Sequence, residues 1–124
     1  MKEARNLYDR SFFDGAYYLA GYAVECALKA CIAKQTRQYD FPNKALVNQA
    51  YTHNLSQLVG VAGLKDELDI KTQSDATFAV NWAIVKDWTE DARYERHGEA
   101  KVRDFLRAIV DRKRGVLSWL RDHW

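Results

Sequence analysis

Residues 14–33, DGAYYLAGYAVECALKACIA, place Ala16, Ala20, Ala23, Ala27 and Cys31 at intervals of three and four. On a helix those intervals make one stripe of small side chains. Small side chains let a second helix come close, so the stretch predicts a central bundle helix, about 30 Å long for roughly 20 residues. Glu25 precedes Lys29 by four residues, the favourable order for a charge pair on one helix face. A membrane span is excluded for this stretch. Glu25, Lys29 and three tyrosines lie within it, and a charge at mid-bilayer costs a few kcal/mol.

The rest of the chain carries the same signature. With 124 residues, 48% of them apolar, one proline and six glycines, it has the material for one core and few breakers to divide it. A single domain over 1–124, all-α, is expected. Met1-Lys-Glu-Ala-Arg5 has no apolar run behind its charges, so no leader is expected. Cys26 and Cys31 sit about 140° apart around one helix and do not face each other. They read as small buried side chains in a reducing, cytoplasmic setting.

Periodicity divides the chain further. Residues 2–13 suit a first helix with Leu7 and Phe13 on its apolar side, and Asp14-Gly15 either kinks or caps before the main helix. Residues 35–48, with Phe41-Pro42-Asn43, read as a connection. Thr52 is the expected N-cap of a short helix through Leu55, Leu58 and Val59, ended or weakened by Gly60 and Gly63. Residues 64–70 add another turn or two. Ser74 or Asp75 caps a helix with Phe78, Trp82 and Val85 as its core stripe. Residues 88–97 read as a turn, and 99–124 as one long helix that Gly115 weakens.

The segment YLAGYAVECALKA resembles the signature helix of HEPN domains, small all-helical nucleotide- and RNA-associated modules. His53-Asn-Leu-Ser-Gln-Leu58, the 88–94 segment with Arg93-Tyr94, and the final helix fit the same family. The resemblance implies an antiparallel bundle of four or five helices. It also implies a chemistry: many such domains are metal-independent ribonucleases with an arginine and a histidine separated by four to six residues. The arginine would steady the phosphate charge and the histidine would move protons.

Here Arg93-Tyr94-Glu95-Arg96-His97 leaves only three residues between arginine and histidine. Two readings follow. In one, Arg93 and His97 still meet at one phosphate, with Tyr94 or Arg96 assisting, and the protein is an RNA endonuclease. In the other, Arg93-Tyr94 is a structural corner whose arginine pairs with an acid such as Glu25 or Asp91. A buried Glu25 would need such a partner. His53 then supports the site by capping or packing, and His123 contacts helix-end carbonyls or water. Histidines at 53, 97 and 123 have no metal-ligand spacing, and no glycine-rich phosphate loop is present. Neither a metal nor another cofactor is expected.

Basic charge is uneven. Residues 93–114 hold eight basic and four acidic side chains against a whole-chain formal charge of +2. On one continuous helix Arg103, Arg107, Arg114 and Arg121 would share a face about 40° wide. Arg93, Tyr94, Arg96, Arg103 and Arg107 are therefore the candidate nucleotide or RNA contacts, with a solvated helix face as the competing account. Trp88, Trp119 and Trp124 have no obvious internal place, which suggests an interface and a homodimer. The spacing defect favours a binding module over a nuclease. By resemblance, its partner is a second copy or a minimal nucleotidyltransferase in a toxin–antitoxin-like pair. No membrane association is expected.

Overall fold

A single helix, α2 (Phe13–Gln38), is the axis on which most of the other elements pack. It runs about 39 Å by helix rise, longer than expected from residues 14–33. The computed structural model describes residues 1–38, 48, 49 and 51–124; the side chains of residues 36–38 and 93 lie outside it. The expected connection at Phe41-Pro42-Asn43 also lies outside the described residues. Among the described residues the elements in chain order are α1 (Lys2–Asp9), α2, α3 (Leu55–Val61), α4 (Lys65–Ser74), α5 (Ala76–Lys86), a 3-10 turn (Glu90–Tyr94), α6 (Glu99–Val110) and α7 (Val116–Arg121). All are helical, and the described residues form the expected all-α bundle. No helix among them is long and apolar enough to cross a membrane.

The small-residue stripe is buried where it was expected. Ala16, Ala20, Ala27 and Cys31 line the core with Val24 and Leu28 between them. Ala23 is half-buried and faces α1 along a seam shared with Met1, Ala4 and Leu19. The Cys31 thiol reaches the Leu120 carbonyl, so α7 closes over the far half of α2. Burial pushes that thiol's pKa up. Cys26 is exposed, which corrects the expectation that both cysteines are buried.

Several boundaries differ from the sequence expectation for local reasons. The α1–α2 break falls at residues 10–12, before Asp14, where Ser11 takes a φ of 66°. Asn54 caps α3 by accepting the Gln57 N–H at 3.0 Å. Thr52 stands two residues earlier, and its hydroxyl oxygen accepts the Asn54 N–H. Gly63, at φ 72°, turns the chain after α3 in a region that favours glycine. Asp75 caps α5, its carboxylate accepting the Phe78 N–H at 3.1 Å.

The expected helix over 99–124 is two helices. Asp111 accepts N–H bonds from Lys113 and Arg114 at 3.0 and 2.8 Å, which folds residues 111–115 into a turn. Gly115 permits it, because a methyl there would overlap the Asp111 backbone. The proposed arginine face therefore does not exist as drawn. Arg114 turns toward Asp75, at 3.5 Å, while Arg103 and Arg107 lie on α6 and Arg121 on α7.

Candidate functional site: the buried carboxylate corner

Glu25 projects from the middle of α2 and is only 2% exposed. Its carboxylate has two partners among the described side chains. Lys29, one turn on, lies 3.5 Å from Oε2, as the spacing predicts. His53, just ahead of α3, brings Nδ1 to 2.7 Å from Oε1. The other ring nitrogen of His53 lies 3.0 Å from Glu90 Oε2 at the start of the 3-10 turn. The imidazole thus spans two carboxylates. His53 is neither a cap nor a core residue: it is the tie between α2 and the 88–97 segment.

The 3-10 turn is seated by Trp88. Its indole lies flush on Gly21 of α2, where a methyl would overlap the ring. Trp88 is 1% exposed, and among the described residues its Nε1 has no hydrogen-bond partner. Tyr18 packs beside it, with centroids 6.1 Å apart. Trp119 is likewise core, against Phe78 at 5.6 Å. Two of the three tryptophans assigned to an interface are therefore internal, and Trp124 alone of them is exposed. The large exposed aromatics near the corner are tyrosines. Tyr51 and Tyr94 are 74% and 75% exposed and bracket His53 and Glu90 in sequence.

His97 lies three residues beyond the 3-10 turn and points inward. Its side chain is 1% exposed. The ring stacks on Tyr17 with centroids 4.0 Å apart. Nε2 is 3.0 Å from the Ala92 carbonyl and Nδ1 is 3.0 Å from the Lys101 ammonium. A carbonyl can only accept and an ammonium can only donate, so the ring carries its proton on Nε2. The His97 backbone N–H is held by Asp14 at 2.5 Å. Burial, followed by the charges of Glu95 and Asp87, raises the pKa of the Tyr17 hydroxyl.

The sequence-derived site residues are thus distributed over separate places. Glu25 and His53 meet directly. The Arg93 side chain lies outside the described residues, and with it the expected Glu25–Arg93 contact. Tyr94 and Arg96 are exposed beside the corner. Arg103 and Arg107 line a groove against α1. The His123 ring contacts a carboxylate, Glu67 at 3.2 Å, while its backbone N–H bonds the helix-end Leu120 carbonyl at 2.9 Å. Among the described residues no group of three histidine, cysteine, aspartate or glutamate side chains is placed to hold a metal ion. The role of Glu90 was missed because an acid in a charged turn carries no distinguishing pattern.

The family model described as HEPN domain matches residues 1–123, essentially the whole chain. No curated protein and no solved structure matches the chain.

Proposed function

The chain belongs to the HEPN domain family, a nucleotide- and RNA-related module, and on that footing we propose that it is a non-catalytic binding member. It acts as a homodimer or with a minimal nucleotidyltransferase in a toxin–antitoxin-like pair. The observation that carries this reading is the burial of His97. General acid–base catalysis needs the imidazole within hydrogen-bond reach of the substrate proton. Here both ring nitrogens are occupied by the protein, and the side chain is 1% exposed. The shortened spacing after Arg93 and this inward rotamer agree.

The partner surface is the corner itself. Tyr51 and Tyr94 are exposed and close in sequence to His53 and Glu90, and exposed aromatics are enriched where proteins meet. The charges behind them, Glu25, His53 and Glu90, are tied to one another, which holds the corner in shape for docking.

The test is turnover of a labelled RNA by the purified protein, alone and with the His97→Ala variant shown to be folded. No cleavage by either protein is expected. Cleavage by the natural chain that disappears in the variant would restore the endonuclease reading.

A further inference from the structure

We propose that the groove between α1 and the α6–α7 stretch binds a single-stranded nucleic acid through its phosphates. This site lies apart from the Glu25–His53–Glu90 corner. α1 packs on α2 through Leu19 and Ala23. Ala23 is about 160° around the helix from Glu25, so the groove and the corner occupy different sides of α2.

α1 runs antiparallel to α6, and two adjoining cavities open along the join. One, of about 560 Å³, extends from Lys2 and Arg5 to Arg112 and Arg121. The other, of about 490 Å³, extends from Arg5 and Tyr8 to Arg103 and Arg107. They share Arg5 and Val110, so they adjoin along one face of the join. Six cationic side chains line it: Lys2, Arg5, Arg103, Arg107, Arg112 and Arg121. Two acids line it, Asp9 and Asp111. Asp111 is already engaged by the backbone N–H groups of Arg114 and Lys113, which hold its carboxyl below the usual range.

Among the described residues, no carboxylate pairs with Lys2, Arg5, Arg107, Arg112 or Arg121. Arg103 has only a loose contact with its sequence neighbour Asp104, at 3.5 Å and well exposed. An ordinary solvated helix face places acids among its bases, as Asp75 is placed against Arg114 here. Cations that line one face with few acids between them repel one another, and an anion relieves that. Five of the six are arginines, whose planar fork matches phosphate oxygens in pairs.

The floor selects the kind of anion. Leu106, Val110 and Leu117 form it, with Tyr8 at one end. Bases have flat apolar faces that can lie on such a floor while their phosphates meet the rim. An acidic peptide would instead leave backbone N–H and C=O groups against apolar side chains, which is costly. A duplex keeps its bases stacked inside and reaches only the rim.

The test is fluorescence anisotropy with a fluorescein-labelled 12-nucleotide oligouridylate at 50 and 200 mM NaCl. The natural chain is expected to bind it at 50 mM and to weaken with salt. Arg5→Ala combined with Arg107→Ala should lower affinity at least about tenfold. Removing two phosphate contacts should also reduce the slope of log K against log salt by about 1.4. Arg112→Glu provides an independent variant at the other cavity, with a similar loss. Arg114→Ala, paired elsewhere, and Tyr94→Ala, at the corner, should bind as the natural chain does. The proposal is overturned by no binding at 50 mM NaCl or by unchanged binding in the groove variants. Equal binding of a duplex or of an oligoglutamate peptide also overturns it. Loss of binding in Tyr94→Ala alone would move the nucleic acid to the corner. RNA cleavage, if found, bears on the corner and leaves this result untouched.

Discussion

The imidazole of His97 lies on the ring of Tyr17, centroids 4.0 Å apart and planes 26° from parallel. That contact joins the segment before α6 to the first turns of α2. It also changes an expectation. A histidine in an exposed turn could be replaced with no effect on folding, but this one is a packed core residue.

His97→Ala is therefore expected to destabilise the protein by about 2–3 kcal/mol. The loss combines a ring-sized cavity with one lost hydrogen bond to the Ala92 carbonyl, which keeps the Glu95 N–H at 3.2 Å. Urea denaturation followed by circular dichroism measures it. A midpoint equal to that of the natural chain would mean the ring is outside the core in solution.

Glu25 is buried while both its described partners reach solvent. Removing a partner from a buried carboxylate costs more when the bond is short and the remaining partner is distant. His53→Ala is thus expected to cost about 2 kcal/mol, and Lys29→Ala less than about 1 kcal/mol, since an exposed ammonium at 3.5 Å is well screened. Equal losses in the same denaturation experiment would contradict the primacy of the His53 contact.

Two glycines in helices should respond with opposite sign to a methyl group. Glycine to alanine in a helix ordinarily gains up to about 1 kcal/mol. At Gly60 nothing among the described residues lies within 4 Å of the new carbon, so Gly60→Ala should stabilise. At Gly21 the carbon meets the buried Trp88 ring, and overpacking costs about 1–3 kcal/mol or more. Gly21→Ala should destabilise and alter tryptophan fluorescence; a gain in stability would show that Trp88 does not rest on α2.

Acid should weaken the fold through two helix-end aspartates. The Phe78 N–H, then Arg114 and Lys71, hold the Asp75 carboxyl below its ordinary 3.8. The N–H groups of Arg114 and Lys113 do the same for Asp111. A carboxyl depressed on folding contributes stability above its unfolded value, and that contribution is lost as pH falls through the folded value. The urea midpoint should therefore drop from pH 5 toward pH 3. Asp75→Asn should lower the midpoint at pH 6 and flatten that decline. An unchanged slope in this variant would remove Asp75 from the account.

Much of this architecture was legible because it is local. The Ala16–Ala20–Ala27–Cys31 stripe is written in intervals of three and four, and helix periodicity alone puts it on one face. Glu25–Lys29 follows from the same geometry, and Asp75 is a cap because its carboxylate bonds the N–H three residues on. The split of the last helix was less legible. Gly115 signals weakness, but whether a helix bends or stops depends on Asp111 capturing two N–H groups in the turn.

Sequence by itself determined that this is an all-α chain built on a small-residue helix, since propensity and periodicity act within a few residues. Only the tertiary structure decided that His53 joins Glu25 to Glu90, that His97 is core, and that arginines from α1, α6 and α7 share a groove. Those relationships join residues far apart in the chain, and their energies arise only when packing removes water between them.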